Sequence, residues 1–561
     1  MTSRNFTAGL SASLAALIAA CVPGVGSSAR ARQPVERDGG GRRDGLIAQM
    51  TAFKTDVPAR AIDVVLARPT GRSITVSVVC YEPEAREGYV EYRREDAAPI
   101  SKTEVRPLPT GSPVLFSLDG LSPDTAYVYR VRYGTATTTV RGTGDAPMTP
   151  VAPAEFKSTE YSTFHTPRAS GKDGGFTFTI QADSHLDQGV EPKVYERTLA
   201  NMLPPVAPAR PDFVIDLGDT FMTDKRGAEF TRALPQYDAQ RYYLGLVART
   251  APLYMVLGNH DGEKGTSGRA ADDIGPWSYA QRTSRFPPPI IDGAMYTGST
   301  GMRDGIGSNY YAFQWGDALC VVLDPYWSTT DRVRGGGGRA GAPGAGGGAQ
   351  PRPGDDPLEP TDASWGMTLG REQYDWLART LSTTTAKYRF VFIHHLVGGV
   401  GGAEARGGAE SSVYFEWGGR NADGSAGFAA RRPGWPMPVH DLLVRYGVSA
   451  VFHGHDHLYV HSVRDGVHYQ CVPQPGNPAG NTRTAARYGY GSGVLHGSPG
   501  HVRVRVDDSA TTVEFVRTAV EGLAPVEPRD ARRRDRPAPV GAAVNGAVVD
   551  SYTISPSGER R

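Results

Sequence analysis

Five short apolar runs in this chain end in residues able to bind a metal ion or move a proton. In order, "FTFTIQADSH" ends in Asp183 and His185, "FVIDLGDT" offers Asp219, "LYMVLGNHD" ends in Asn259, His260 and Asp261, "RFVFIHHL" holds His394 and His395, and "AVFHGHDH" ends in His455 and His457. The last run belongs to a stretch with His453, His455, His457 and His461 at even-numbered spacing. Side chains two apart on an extended strand share a face, so His455 and His457 can aim at one point; a polar strand with solvated imidazoles fits the same spacing. Taken together, the five runs favour a metal. Asp and His two apart converge on one ion, and imidazoles with carboxylates supply the mixed nitrogen and oxygen environment that suits Zn, Mn, Fe or Ni. The supply exceeds one ion: seven ligands fit two metals about 3.5–4 Å apart, with one carboxylate shared. Gly218 and Gly258, just before Asp219 and Asn259, allow sharp backbone turns beside the ions. An asparagine ligand trims the negative charge of such a site and eases the approach of an anionic substrate.

The elements that must position these residues read as buried strands with helices between them. In "REQYDWLARTL", Tyr374, Leu377, Ala378 and Leu381 fall at helical spacing. Strands that end in polar clusters, with crossover helices, describe an α/β domain whose site lies at the carboxyl ends of its strands. Ahead of it, over residues 58–148, "RSITVSVVCY", "GYVEYRRE", "SPVLFSLDGL" and "AYVYRVRY" follow one another with turn residues between, a β-sandwich pattern. "LSPDTAYVYRV" resembles the tyrosine corner of fibronectin type III domains, in which Tyr127 would return its hydroxyl to nearby backbone. Such a module supports or positions. Residues 334–357 are low-complexity, and the glycine-rich residues 398–435 read as an ordered loop with content. "GHVRVRVDDSATTVEFVRT" reads as a hairpin, and residues 521–561 as a C-terminal extension with a terminal strand, "GAVVDSYTI".

At 561 residues the chain calls for two folded domains. A net charge of +1 with 21% charged residues leaves no basic footprint, so nucleic-acid binding is not expected. Residues 1–31 have the layout of an export signal: Arg4, an apolar run, then small residues. Within it "IAAC" resembles the lipobox of bacterial lipoproteins, which would make Cys21 a lipid anchor to the membrane; the alternative is cleavage near Ala29 to Ala31. Residues 32–57 form a polar linker. The expected location is therefore the bacterial cell envelope, the periplasm or the exterior. Of the remaining cysteines, Cys80 and Cys320 sit in strand-like runs where buried, inert thiols are commonest.

The order D-x-H, G-D, G-N-H-D, H-H and G-H-x-H resembles the calcineurin-like metallophosphoesterase superfamily over residues 170–520. With the fibronectin-like module in front, the whole looks most like bacterial relatives of purple acid phosphatases. The resemblance implies a metallophosphoesterase β-sandwich core flanked by helices, preceded by an all-β fibronectin III-like domain. It makes Asp183, His185, Asp219 and His457 ligands of one metal and Asp219, Asn259, His394 and His455 ligands of the other, the pair being drawn from Fe, Mn and Zn. His260 would protonate the leaving alkoxide, Asp261 would orient its ring, and His395 would lie outside the ligand shell and be a candidate for substrate binding. Purple acid phosphatases have glycine where this chain has His185 and an iron-binding tyrosine where it has Met222, so a tyrosinate-to-iron band is not expected. The proline usual after the paired histidines is Leu396.

Around these residues, His453 is expected to pack beside the ligands, His461 to be solvated, Asp187 to form a turn and His440 to lie on an amphipathic helix. Tyr459 is a candidate for substrate contact or a half-buried strand tyrosine. Glu416, Trp417, Arg420 and Asn421 are candidates for a substrate lid. The function that follows is hydrolysis of small phosphate monoesters by a hydroxide held between the metals. The first motif and G-N-H-D resemble the cyclic-nucleotide and glycerophosphodiester branch as well, so phosphodiester hydrolysis is the alternative. A non-catalytic exported scaffold or adhesion protein is disfavoured by the intact ligand set.

Overall fold

Every residue of the strand Phe176–Gln181 is buried, as befits a strand covered on both faces. The structure, a computed structural model, describes residues 53–556 apart from 136–137, 141–148, 153–154, 172–173, 205–209, 265–273, 330–359, 401–404 and 522–543. Phe176–Gln181 lies in a six-stranded sheet ordered Leu253–Met255, Phe213–Asp216, Phe176–Gln181, Gly500–Val506, Thr511–Arg517, Val548–Ile554. Its first three strands are parallel and the rest antiparallel.

The eight-stranded partner sheet runs Tyr296–Gly298, Tyr311–Trp315, Ala318–Val322, Tyr388–Phe392, Ala450–His453, Val467–Cys471, Leu458–Arg464, Val494–Gly497. Aromatic side chains fill the space between the sheets. The Phe178 ring lies 4.8 Å from Phe213 in its own sheet and 6.1 and 6.4 Å from Phe392 and Phe452 of the other. This layered arrangement matches the sandwich core expected from the sequence. It brings the carboxyl ends of Phe176–Gln181, Phe213–Asp216, Leu253–Met255, Tyr388–Phe392 and Ala450–His453 together, and each group of candidate ligands follows one of them.

Helices cover the outer faces. In Gly370–Thr383 the expected stripe is present: Tyr374, Leu377 and Leu381 are buried and Ala378 partly so. His440 lies on Val439–Arg445, buried against the Tyr469 hydroxyl.

The N-terminal region is a second β-sandwich. One sheet joins Ile62–Ala67, Ser73–Cys80 and Pro113–Asp119; the other is built on Glu87–Arg94 and Ala126–Gly134. Val76, Val78, Phe116, Tyr129 and Val131 fill the core between them. The Tyr127 hydroxyl accepts the Ser122 N–H at 2.8 Å, the corner expected from the sequence. The module is seated on helix Leu234–Ala248 of the second region. Arg241, fully buried on helix Leu234–Ala248, donates to the Ser77 carbonyl at 2.6 Å, and Tyr129 donates to the Arg249 carbonyl at 2.6 Å. Val65 shares a core with Tyr243, Leu244 and Val247.

Two boundaries differ from the sequence reading. Phe156–Ser158 and Ser162–His165 pair with Ala126–Gly134, so the N-terminal sandwich continues to His165. Val548–Ile554 pairs with Thr511–Arg517 as the edge of the six-stranded sheet, so the last strand completes the catalytic core instead of extending it. These three strands reach their partners across gaps that local pattern does not span. His461 is half-buried rather than solvated: it lies 2.9 Å from His468 Nδ1 and stacks on Tyr552. Cys80, Cys320 and Cys471 are free and buried. Cys21, the export segment and the low-complexity residues 334–357 lie outside the described residues. Among the described residues no helix is long and apolar enough to cross a membrane.

Candidate metal centre

The strand ends bring two groups of ligand atoms together. Asp183, His185 and His457 form one, and Asp219, His394 and His455 the other, each with its ligand atoms within 4.8 Å of one another. His457 Nε2 lies 3.5 Å and His185 Nε2 3.7 Å from Asp183 Oδ1. A single atom links the groups: Asp219 Oδ2 is 3.4 Å from His185 Nε2 and 3.3 Å from His394 Nε2. Asn259 joins the second group, its Oδ1 3.0 Å from His394 Nε2. All seven expected ligands are thus in one place, with Asp219 between the two groups.

The backbone that holds them departs from the extended geometry first assumed. Asp183, His185, Asp219, His455 and His457 all have positive φ, between 36° and 71°. Non-glycine residues occupy that region at a cost of about 1–3 kcal/mol, retained where function needs it. The turns send His455 and His457 to different groups, so the pair does not share one point. The glycines are there for clearance. A Cβ on Gly258 would stand 2.0 Å from the Asp219 nitrogen, and one on Gly454 2.8 Å from Asp183 Oδ2.

The charges are strongly coupled. Burial alone would raise Asp183 and Asp219, yet the neighbouring histidines hold both well below the usual carboxylate range. Against the same cost of burial, Asp183 and Asp219 raise His185 to about 9, and Asp219 raises His394 to about 10. His455 and His457 are pushed down, mainly by burial. Arg406 adds to that push and is itself held to Asp456 at 2.8 Å. His395 is buried with its ring 5.7 and 5.2 Å from those of His394 and His455; its Nδ1–H donates to the Leu396 carbonyl, and burial lowers it to about 3. His453 is buried with its Nδ1 3.3 Å from the Gly454 carbonyl.

His260 stands beside the second group, its Nε2 3.9 Å from Asp219 Oδ2 and 3.1 Å from Asn259 Nδ2. The ring is oriented by Asp224, whose Oδ1 is 2.9 Å from Nδ1, and not by Asp261. The Asp261 carboxylate is buried and occupied by the backbone N–H groups of Gly258, Asp219, Thr220 and Phe221. It ties two ligand loops together, and burial with the Asp219 charge raises it to about 7. Asp224 was not among the sequence candidates. Its only signal was an acid five positions after Asp219, in a 3-10 segment with no periodicity to mark it.

The substrate candidates resolve differently. Tyr459 is fully buried between the sheets, stacked on Phe515, with its hydroxyl on Asp550 at 2.7 Å. It faces away from the ligands because Val548–Ile554 closes that side. Glu416 is fully buried and bound to Arg432, Thr368 and the Leu369 N–H. Trp417 is buried with its indole N–H on Tyr469. Asn421 accepts from the Trp365 indole at 3.0 Å, and exposed Arg420 donates to the Gly424 carbonyl at 2.9 Å. These four residues pin the loop to its own surroundings. They are braces, not a lid reaching the ligands.

A family model for calcineurin-like phosphoesterases matches residues 176–459, half of the chain and all seven ligands. The chain belongs to the calcineurin-like phosphoesterase family. As such it is a metal-dependent phosphoester hydrolase. Among solved structures, PhoD is similar over 90% of this chain and 92% of its own, with a TM-score of 0.56 and 13% identity, a likeness of fold. A purple acid phosphatase from yellow lupin seeds covers 88% and 74%, with a TM-score of 0.49 and 13% identity. No curated protein matches the sequence.

The donor set fits the two ions of a calcineurin-like phosphoesterase. Asp183 Oδ1 and His185 Nε2 are buried yet make no hydrogen bond among the described residues. Buried polar atoms are rarely left so, and here they face one another across the space an ion would fill. Imidazoles, carboxylates and one amide oxygen are ligands that Zn, Mn and Fe accept.

Proposed function

We propose that this chain hydrolyses phosphate monoesters of small molecules outside the cytoplasm, with the two groups of ligands holding a pair of metal ions. The observation that carries the reading is Asn259: its amide oxygen takes a ligand position 3.0 Å from His394 Nε2 where a carboxylate would add negative charge. The two groups then contain only two carboxylates, Asp183 and Asp219. Two divalent ions held there leave an excess of two positive charges before the attacking water loses its proton and of one after, a balance that favours an anionic phosphate ester.

Bound at these residues, the ions would supply Lewis-acid neutralisation of the phosphoryl oxygens and lower the pKa of an attacking water. The rest falls to the chain. Asp183, Asp219, Asn259 and the four ligating histidines would hold the two ions at the strand ends. As the oxygen of water bonds to phosphorus, the bond to the ester oxygen breaks and that oxygen needs a proton. His260 is placed to give one. Asp224 accepts from Nδ1–H, which fixes the ring with Nε2 toward Asp219 and Asn259; Nε2, which accepts from the Asn259 amide N–H at 3.1 Å, exchanges that bond for a proton before it hands one to the leaving oxygen. General acid help of this kind is worth roughly 10²- to 10⁴-fold. Export is supported by the signal-like residues 1–31, and lipid anchoring through Cys21 by "IAAC".

The test is to reconstitute the purified chain with Mn, Zn or Fe and to compare p-nitrophenyl phosphate with its bis ester. The monoester should be the better substrate by kcat/KM. A preference for the bis ester would assign the site to phosphodiesters.

A further inference from the structure

We propose that residues 53–57 form a strap over the loop that carries His185, and that Asp187 is the positioning residue through which the strap sets the first group of ligands. Asp187 follows His185 by two positions. Its carboxylate accepts the Lys54 N–H on one oxygen and the Thr55 hydroxyl on the other, both at 2.5 Å. Hydrogen bonds to an ionised acceptor are the stronger kind. Phe53 and Val57, at either end of the strap, pack against the apolar cluster that includes Leu186, Val190 and Tyr195. Leu186 lies between the ligand and the strapped carboxylate, so the loop is gripped from its polar and its apolar side.

The loop needs such a grip. Asp183, His185 and Asp187 all have positive φ, at 58°, 36° and 68°. Such conformations persist where the surroundings over-determine them. The turn closes on itself through the Gln188 N–H to the His185 carbonyl at 2.8 Å. It is tied to its neighbours by the Asp183 N–H to the Gly218 carbonyl at 2.9 Å, the His185 N–H to the Asp219 carbonyl at 3.4 Å and the Gln240 amide to the Ser184 hydroxyl at 2.8 Å, ties that all lie on the near side of Asp187. The strap adds contacts from more than a hundred residues away in sequence. The segment that joins the N-terminal residues to the folded chain therefore also finishes the metal centre. The strap's hydrogen bonds go to Asp187, two residues from His185, so the effect falls first on the group of Asp183, His185 and His457.

This inference rests on the two-ion reading. The experiment is a titration of the metal-free full chain with Mn²⁺, together with hydrogen exchange of amides 183–190 in the metal-free state. Asp187→Ala and Thr55→Val should weaken one of the two ions by about 10- to 100-fold, the usual cost of losing a partner behind a metal ligand, leave the other unchanged, and speed exchange of amides 183–190. Thr55→Ser should restore both readouts. Two ions at wild-type affinity with unchanged exchange in Asp187→Ala would overturn the strap, as would equal weakening of both ions. Fewer than two ions in the wild-type chain would instead count against the two-ion reading, and the exchange measurement would still decide the strap. Should Asp187→Ala fail to fold, Thr55→Val and Thr55→Ser carry the same comparison.

Discussion

Asp224 holds His260 from two sides: its carboxylate lies 2.9 Å from the ring Nδ1, and its backbone N–H donates to the His260 carbonyl at 3.2 Å. Replacing His260 by Ala should leave both ions bound and slow an alkyl phosphate by roughly 10²- to 10⁴-fold, the range of general acid help. p-Nitrophenyl phosphate should suffer much less, because its leaving group needs little protonation. Asp224→Asn should show the same bias at smaller size. Equal losses on both esters would remove the proton-donor role.

How much of this site was legible depends on how local its determinants are. Each ligand follows an apolar strand, and that pattern is contained in fewer than a dozen residues, so the metal centre and its order of motifs could be read directly. Asp224 sits in an irregular turn and reveals itself only through its distance to His260. Tyr459 was ambiguous because the strand that buries its hydroxyl side, Val548–Ile554, arrives from far along the chain. Glu416 reads as a lid candidate from its loop alone; Arg432 and Thr368, which bind it, come from 16 residues after and 48 residues before it.

Metal loading should be linked to protons. In the metal-free chain His185 titrates at about 9 and His394 at about 10, so both rings are charged at pH 7. Ligation requires neutral imidazoles; loading at pH 7 should therefore release protons, and apparent affinity should rise with pH toward 9 to 10. The sign for stability is the opposite. Both folded values lie above the ordinary 6.5, so the stabilising contribution to the metal-free fold is complete below 6.5 and is lost as pH climbs through 9 and 10. The melting temperature of the metal-free chain should fall over that interval by more than that of the loaded chain. A pH-stat and scanning calorimetry read both; no proton release at pH 7 would contradict the coupling.

The N-terminal sandwich is expected to be indispensable for folding. Removing residues 58–165 would strip Arg241 of its Ser77 acceptor and expose the cluster that Val65 covers. The truncated chain should aggregate or unfold well below the melting temperature of the full chain. A truncation with unchanged melting and two bound ions would show that the seating is dispensable.

A ferric-loaded sample should lack the intense visible band of a tyrosinate-iron site. No tyrosine is among the candidate ligands: the residue three after Asp219 is the buried Met222, and the Tyr459 hydroxyl is held by Asp550. Absorption spectroscopy reads this directly. A strong band abolished by Tyr459→Phe would mean that Tyr459 turns toward the ligands.

The most direct test of the central claim is metal stoichiometry measured beside turnover. Mn²⁺ titrated into the metal-free chain should saturate at two ions per chain, with p-nitrophenyl phosphate hydrolysis appearing as the second ion binds. Asn259→Ala should weaken one ion and nearly abolish that hydrolysis while the chain stays folded. Saturation at one ion with full activity, or an Asn259→Ala chain with two ions and an undiminished rate, would contradict the dinuclear phosphoesterase.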